Sequence, residues 1–154
     1  MQAGDRHLLG VDINLKAINL CQFDFSGHLY FRFQLNLPQP AMPGAVIVAL
    51  CEQIEVIDPE RRVDLVGVSV PGEIDSLGRI VKSSLELPGW IDVPLIDWLE
   101  PRLSRKVIIV NFSKSLMVDD DSQVMNNRCD CSHFRALAAA ILDCERLNCF
   151  EGTP

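Results

Sequence analysis

Three polar residues follow the first apolar run of the chain and could handle a phosphate group. The run ends at Asp12, and the turn after it reads Asn14-Leu15-Lys16. An aspartate in this place can cap the turn or hold a phosphate-bound Mg²⁺, and we favour the capping role. A phosphate-binding turn should be rich in glycine and threonine, because glycine N–H groups approach a phosphate closely and the side chain of Leu15 hinders that approach. Asp12, Asn14 and Lys16 are therefore interpreted as the remnant of a phosphate-binding turn.

A second group of residues could bind a metal. Cys129, Cys131 and His133 place three soft ligands close together near the end of the chain. They could bind zinc if Cys144 or Cys149 folded back to complete the site. The spacing alone is weak evidence, and we favour a reactive or unstructured thiol pair. The sequence therefore predicts no metal site.

The charge of the chain argues against contact with nucleic acid. The 154 residues carry a formal net charge of -7, and the basic residues are scattered apart from Arg61-Arg62 and the segment 102–106. Binding to phosphate backbones needs clustered lysine and arginine. No helix-turn-helix can be read from the sequence, so we expect no contact with nucleic acid.

The start of the chain and its apolar runs favour a cytoplasmic protein. Residues 1–9 lack a basic region followed by a long apolar run, and no apolar run approaches the length of a membrane span. We therefore expect no membrane partner, and we expect the cysteines to be mostly reduced thiols. The length suits one core, or one lobe of a two-lobed protein.

The first third of the chain predicts an antiparallel meander of three strands. Residues 7–13 form a buried apolar strand and residues 16–24 its partner, while residues 28–36 alternate after a tight turn at Ser26-Gly27. A proline-rich loop over residues 37–44 ends the meander, because proline cannot pair in a ladder.

The next segments predict helices and strands in alternation. Residues 44–57 and 93–103 have helical spacing, residues 63–75 form an apolar run closed by Pro71-Gly72, and residues 106–112 form a β-branched strand. The helical stripe of the first segment comprises Val46, Ala49, Leu50, Ile54 and Ile57. A small hairpin turns at residues 76–78. The order predicts an α/β fold, a ribonuclease-H-like (actin-like ATPase) half-domain: a five-stranded mixed sheet with three antiparallel and two added parallel strands, flanked by helices.

Residues 112–154 change character and predict a divergent tail. An acidic run at residues 119–121 and an irregular stretch precede a plausible helix over residues 133–150. One stripe of this helix carries Leu137, Ala140, Ile141, Cys144 and Leu147. We expect residues 1–111 to form the lobe and the helix of the tail to pack on that same lobe, covering the sheet.

The ordered motifs resemble the N-terminal lobe of the ROK family of repressors, open reading frames and sugar kinases. The most specific segment runs from Val70-Pro71-Gly72 through Leu87-Pro88-Gly89-Trp90 to Asp92-Val93-Pro94-Leu95. The resemblance covers residues 8–111. It implies an actin-like ATPase lobe, and it is closest in character to the NagC-type transcriptional regulators.

The resemblance implies that catalytic residues have been lost. Kinases of the family have a Gly-Gly-Thr turn after the first aspartate, where this chain has Asn14-Leu15-Lys16. Their last central strand ends in Asn-Asp, and that aspartate takes the proton of the attacking hydroxyl. The pair in this chain is Asn111-Phe112, and phenylalanine cannot accept a proton. We therefore predict no catalytic residue, and we do not expect residues 119–121 to substitute.

The resemblance also implies candidate sugar contacts. Asn111 keeps the residue type that binds a sugar hydroxyl, although closing the strand is the role that we favour. Glu86 and Gly89 match the sugar-side loop, with Glu86 standing where an asparagine is usual. Trp90 fits a packing residue beneath that loop better than a stacking platform. The family's zinc loop belongs to its second lobe, and its third cysteine is replaced by Ala136 in this chain.

The sequence therefore leaves several functions open. The favoured expectation is a non-catalytic, sugar-sensing regulatory domain that lacks the DNA-binding segment and needs no cofactor. The alternative is a hexokinase-like or glucokinase-like sugar kinase, or half of one completed by a second lobe, and only this alternative requires ATP and Mg²⁺. A third is an oligomerising module, because the face of a missing lobe would be apolar. The expected partners are a small sugar, a second lobe or a second copy of the chain.

Overall fold

The computed structural model describes residues 6–26 and 28–110. These residues form seven strands and two helices. In chain order the elements are β1 (His7–Ile13), β2 (Ala17–Asp24), β3 (Leu29–Asn36), α1 (Pro43–Ile57), β4 (Val63–Ser69), β5 (Glu73–Ile74), β6 (Val81–Ser83), α2 (Leu95–Leu103) and β7 (Lys106–Val110).

Five of the strands form one mixed sheet in the order β3-β2-β1-β4-β7. β2 pairs antiparallel with β1 and β3, whereas β4 pairs parallel with β1 and β7 pairs parallel with β4. The predicted fold class is confirmed, since the meander supplies three strands and the two later strands extend it in parallel. The helices make the crossovers that parallel pairing requires.

Both helices lie on one face of the sheet, called the helix-covered face below. Leu9 and Val11 of β1 and Val66 and Val68 of β4 point to it. The helices contribute buried residues to the same core: Val46, Ile47, Leu50 and Ile54 from α1, and Leu95, Ile96, Leu99 and Leu103 from α2. Burial of this apolar stripe stabilises the fold at roughly 25 cal/mol per Å² of apolar surface.

The helix boundaries follow from proline, aspartate and a left-handed residue. α1 begins at Pro43, one residue before the predicted start, because proline at a first helical position needs no N–H partner. It ends at Asp58, whose carboxylate accepts the backbone N–H groups of Arg62 and Val63 at 2.9 and 3.0 Å. α2 ends at Ser104, which has a φ of 54°. The predicted stripe of α1 omitted Ile47, which is buried, and it included Ala49 and Ile57, which are only half-buried.

The apolar run over residues 63–75, predicted to close at Pro71-Gly72, contains β4 and, after that proline and glycine, the short β5 of the predicted hairpin. β4 ends at Ser69, and β5 pairs with β6 in a small second sheet. Pro71 has no N–H to continue the ladder. A Cβ on Gly72 would lie 2.3 Å from the carbonyl oxygen of Ser83, so only glycine lets the two backbones pass this closely.

A buried ion pair joins the end of α1 to the start of β7. The Arg105 guanidinium donates to the Asp58 carboxylate at 3.0 Å and to the Asp58 carbonyl at 3.1 Å. It also donates to the carbonyl of Leu103 at 2.8 Å. The side chains of Arg105 and Asp58 are 2% and 4% exposed, which makes this pair far drier than the exposed pair between Arg79 and Asp97.

The turn between β2 and β3 is organised by one carboxylate. Asp24 accepts hydrogen bonds from the hydroxyl and N–H of Ser26 at 2.7 and 2.9 Å and from the N–H of His28 at 2.9 Å. The hydroxyl of Tyr30 donates to its second oxygen at 3.1 Å. These bonds, with that of the Ser26 hydroxyl the largest, lower the pKa of Asp24 to about 2.

Two further expectations concern membrane-spanning helices and the segment that follows the lobe. In the part of the chain that the structure describes, no helix has the length and apolar character needed to cross a membrane. The predicted helix over residues 133–150 and the lobe boundary at residue 111 lie outside the described residues.

Candidate functional site

The carboxyl ends of three parallel strands meet at one edge of the sheet. Asp12 of β1 is paired with Ser69 of β4, and Ser69 is paired with Val110 of β7. The chain runs from β1 to β2 on one side and from β4 to β7 on the other, so the connections after these two parallel neighbours run in opposite directions. Open α/β sheets bind ligands at such a point, outside the carboxyl ends of the strands. This carboxyl edge is therefore the candidate site.

Asn14 organises the turn that follows β1. Its side-chain oxygen accepts the backbone N–H groups of Lys16 at 2.8 Å and Ala17 at 3.1 Å. Its side-chain nitrogen lies 3.4 Å from a carboxylate oxygen of the buried Asp12. The structure thus brings Asp12 and Asn14 together, and Asn14 holds the N–H groups of the turn.

The turn is poorly suited to a phosphate. Backbone N–H groups are the donors with which such turns hold phosphate, and Asn14 already bonds those of Lys16 and Ala17. Leu15 is 53% exposed and projects from the same turn. Among residues 14–17, the feature that suits an anion is the positive charge of Lys16, which is exposed. The residues of the turn therefore do not fit a nucleotide phosphate.

Ser69 is a polar residue of the carboxyl edge that the sequence analysis missed. Its side chain is fully buried, and its hydroxyl oxygen has no hydrogen-bond partner among the described residues. Buried hydroxyl groups are nearly always bonded, so an unbonded one beside Asp12 is unusual. The sequence did contain a signal that could have identified Ser69, because this serine is a polar residue within the apolar run from Leu65 to Val70.

The segment from Ser84 to Trp90, called the sugar-side loop below only after the family loop that it resembles, is held by hydrogen bonds at both ends. The indole N–H of Trp90 donates to the carbonyl of Ala41 at 2.8 Å, and the ring is fully buried. At the other end the Ser84 hydroxyl donates to the carbonyl of Pro71 and accepts the N–H of Leu87 at 3.1 Å. Trp90 therefore packs beneath the loop, as expected, and cannot serve as a stacking platform.

Glu86 and Gly89 are the exposed members of this loop that the sequence analysis selected as sugar contacts. The N–H of Glu86 lies 3.3 Å from the Ser84 hydroxyl, and its carboxylate is exposed. Gly89 has a φ of 78°, and a Cβ at this position would lie 2.5 Å from the terminal carbon of Met42. Glycine is required because the backbone is left-handed and packed against a side chain. Ser84, which holds the first end of this loop, was not foreseen.

The hairpin beside the loop is shaped by Asp75. Its carboxylate accepts the N–H groups of Arg79 at 2.8 Å and Ile80 at 2.9 Å. These bonds lower the pKa of Asp75, with the Ile80 bond the largest cause. The carboxylate is therefore committed to the turn, and we assign it a structural role.

Several predicted site residues lie outside the described residues. They are Asn111, Phe112, the acidic run 119–121, and the weak metal candidates Cys129, Cys131 and His133. Asn111 directly follows Val110, the β7 residue paired with Ser69. Within residues 6–26 and 28–110, no group of three or more histidine, cysteine or acidic residues is placed to hold a metal ion.

Comparison with known proteins links the chain to sugar kinases. No family model matches the chain. A glucokinase from Thermotoga maritima is 32% identical over 75 residues, which are 49% of this chain and 24% of that enzyme. A ROK family glucokinase from Streptomyces griseus, solved in complex with glucose and AMPPNP, matches with a TM-score of 0.62 and 24% identity over 69% of this chain and 33% of that chain.

Two further solved structures show how broad the likeness is. An inorganic polyphosphate/ATP-glucomannokinase from Arthrobacter sp. strain KM matches with a TM-score of 0.61 and 28% identity, over 69% of this chain and 44% of that chain. A ROK family transcriptional regulator, a homologue of the E. coli Mlc protein, matches with a TM-score of 0.62 and 14% identity over 79% of this chain and 31% of that chain. The likenesses to this regulator and to the Streptomyces griseus glucokinase show the fold alone.

These relatives support the ROK resemblance and the actin-like fold. Most are sugar kinases, and they do not single out the NagC-type branch. They favour the sugar-kinase alternative over the regulator that we expected first. The chain spans less than half of the length of each of these proteins.

Proposed function

We propose that the chain is the sugar-binding lobe of a sugar-kinase-like protein, and that a hexose binds at the carboxyl edge of its sheet. The observation that carries the proposal is the fastened sugar-side loop. Trp90 and Ser84 hold this loop through bonds to Ala41 and Pro71, beside the strand that ends at Ser69. A loop ordered before the ligand arrives loses less entropy on binding, so it suits recognition of a small polar molecule.

The proposed sugar contacts are Glu86, Gly89 and Asn111. An exposed carboxylate accepts hydrogen bonds from sugar hydroxyl groups, and Glu86 lies on the fastened loop. Gly89 would present backbone groups, since it has no side chain. Asn111 follows Val110 at the candidate site and would contact the sugar with its amide group.

ATP-dependent phosphate transfer to the sugar, completed by a second lobe, is the second candidate function. The glucokinase and glucomannokinase relatives favour it. Two features of this chain oppose it. Asn14 occupies N–H groups of the turn that a phosphate would need. Phe112 stands where the resemblance places the proton acceptor, and a phenyl ring cannot take a proton.

A sugar-sensing role in regulation, of the NagC type, is the third candidate. This role keeps the proposed sugar site but needs no phosphate transfer. The N–H groups that Asn14 occupies and the phenyl ring of Phe112 therefore favour it. It has less support from the relatives, because the regulator among them is 14% identical. In this role the chain would need neither ATP nor Mg²⁺.

Calorimetry of the full chain with glucose, mannose and N-acetylglucosamine tests the proposed site. We expect one hexose to bind, and we expect Glu86→Gln to weaken binding about tenfold, as loss of a charged hydrogen-bond acceptor does. Glu52→Gln, an exposed glutamate of α1, is the matched control and should bind as the wild type does. Absence of binding across the panel would remove the proposal.

A coupled assay with ATP, Mg²⁺, the bound hexose and a partner lobe separates the second and third candidates. Formation of a phosphorylated sugar would establish the kinase, and Asn14→Gly should then raise the rate because it frees the N–H groups of the turn. Hexose binding without turnover, also in the Asn14→Gly variant, would favour the sensing role.

A further inference from the structure

The sheet has a second face, turned away from both helices, and its composition is unusual. It consists of alternate residues in three rows across β2, β1, β4 and β7. The rows are Phe23, Leu8, Leu65 and Lys106; then Cys21, Gly10, Gly67 and Ile108; and at the carboxyl edge Asn19, Asp12, Ser69 and Val110. This set is called the second face below.

The second face is buried except at Lys106 and Asn19, although α1 and α2 pack on the other side. Leu8, Cys21 and Phe23 are 0% exposed, and Leu65 is 2% exposed. None of them belongs to the core cluster that α1 and α2 form with the helix-covered face. Neighbouring strands alone cannot bury a side chain that stands out from a sheet. Parallel strands are also normally covered on both faces, so a second layer is required.

The middle of the second face is shaped for a close neighbour. Gly10 and Gly67 lie side by side on adjacent strands, and neither has a side chain. Cys21 and Ile108 flank them in the same row. Glycine inside a strand marks a place where another backbone can approach closely. A helix with small residues on its inner stripe fits this shallow row.

We propose that residues 133–150 form a helix that covers the second face, with Ala140 and Cys144 lying against Gly10 and Gly67. β7 lies at the border of the sheet that the described residues form, and Val110 is its last residue. A helix of this length is about 27 Å long, and strands of seven residues span about 23 Å. The intervening residues 111–132 are enough to return the chain across the sheet.

The composition of residues 133–150 favours this segment, rather than another protein, as the cover of the second face. Its apolar stripe comprises Leu137, Ala140, Ile141, Cys144 and Leu147, with small residues near its centre. At 100° per residue Arg135 and Arg146 fall on the opposite side, where they would meet solvent. The face and the segment are thus matched in polarity and in size, and they belong to one chain.

Alkylation of Cys21 in the folded full-length chain tests the proposal. Burial raises the pKa of the Cys21 thiol, so the wild type should label very slowly at this residue. Ala140→Asp places a charge in the contact and should speed labelling of Cys21 about tenfold or more, because a buried unpaired carboxylate favours local opening. Ala139→Asp makes the same change on the far side of the helix and should leave the rate unchanged.

Labelling of Cys51, which lies half-buried on α1, separates local opening from unfolding. If Ala140→Asp exposes Cys51 equally, the milder pair Ala140→Ser and Ala139→Ser is compared in the same way. Equal labelling of Cys21 in both members of that pair would overturn the proposal. Faster labelling of wild-type Cys21 on dilution would also overturn it, because the cover would then be a second copy of the chain.

Discussion

The indole N–H of Trp90 and the carbonyl of Ala41 form a buried hydrogen bond of 2.8 Å between residues 49 positions apart. The bond ties the sugar-side loop to the proline-rich loop before α1. It satisfies a main-chain acceptor that would otherwise be buried without a partner, since Ala41 is 4% exposed. The geometry of the candidate sugar site therefore depends on a loop distant in sequence.

Trp90→Phe should destabilise the protein by about 1–3 kcal/mol, because it leaves the Ala41 carbonyl unbonded and removes buried ring atoms. Urea denaturation measures the change. Trp98→Phe, at a half-buried tryptophan of α2, is the control and should cost clearly less. Equal losses for the two variants would show that the Ala41 bond contributes nothing specific. If a hexose binds, its affinity should fall in the Trp90 variant alone.

Gly89→Ala should cost more stability than Gly78→Ala. Both glycines are left-handed, with φ of 78° and 72°, so each alanine carries a strain of about 1–2 kcal/mol. At Gly89 the new methyl group also meets Met42 at 2.5 Å, whereas nothing lies within 4 Å at Gly78. The difference between the two variants in thermal denaturation isolates the contact. No difference would mean that the Met42 side chain moves aside freely.

Arg105→Met should destabilise the protein by about 3–5 kcal/mol, because it leaves the buried Asp58 carboxylate without its cation. Arg79→Met breaks an ion pair of 2.6 Å with Asp97 that is exposed, and should cost less than about 1 kcal/mol. Guanidinium titration of both variants gives the comparison. A loss below about 1 kcal/mol for Arg105→Met would contradict the buried character of the pair.

Asp24 should make stability depend on pH in the acid range. The folded-state pKa is lowered from 3.8 to about 2, so its contribution is fully present above the unfolded value and is lost as the pH falls toward 2. Asp24→Asn removes the contribution, and the stability difference from the wild type should shrink between about pH 5 and pH 2. A difference that stays constant over this interval would exclude the proposed role of the Ser26, His28 and Tyr30 bonds.

Most of the fold could be predicted from the sequence because its signals are local. The alternation of β2 and β3 and the apolar runs of β1, β4 and β7 each lie within a few residues. The end of β4 was predicted at Pro71-Gly72, slightly too late, because the apolar run continues past Ser69 to Val70. The closeness of Gly72 to Ser83 depends on a partner eleven residues away, and no local pattern shows it.

The candidate site was only partly predictable for the same reason. The sequence pointed to Asp12, Asn14, Glu86 and Gly89, and the structure places the first two in contact at the end of β1 and the last two on one loop. Ser84 and Ser69 were missed, because their importance comes from the Pro71 carbonyl and from the cross-strand neighbour of Asp12. The roles of Asn111 and Phe112 stay predictions.

β1 is paired along both of its edges, to β2 and to β4, over nearly its whole length. Two independent ladders thus fix its alignment, and a slip by one residue would have to break both while turning Asp12 toward α1 and α2. The loop at residues 14–16 belongs to neither ladder, so it does not contribute to this alignment. Substitutions in this loop can therefore change its chemistry while the pairing of β1 stays intact.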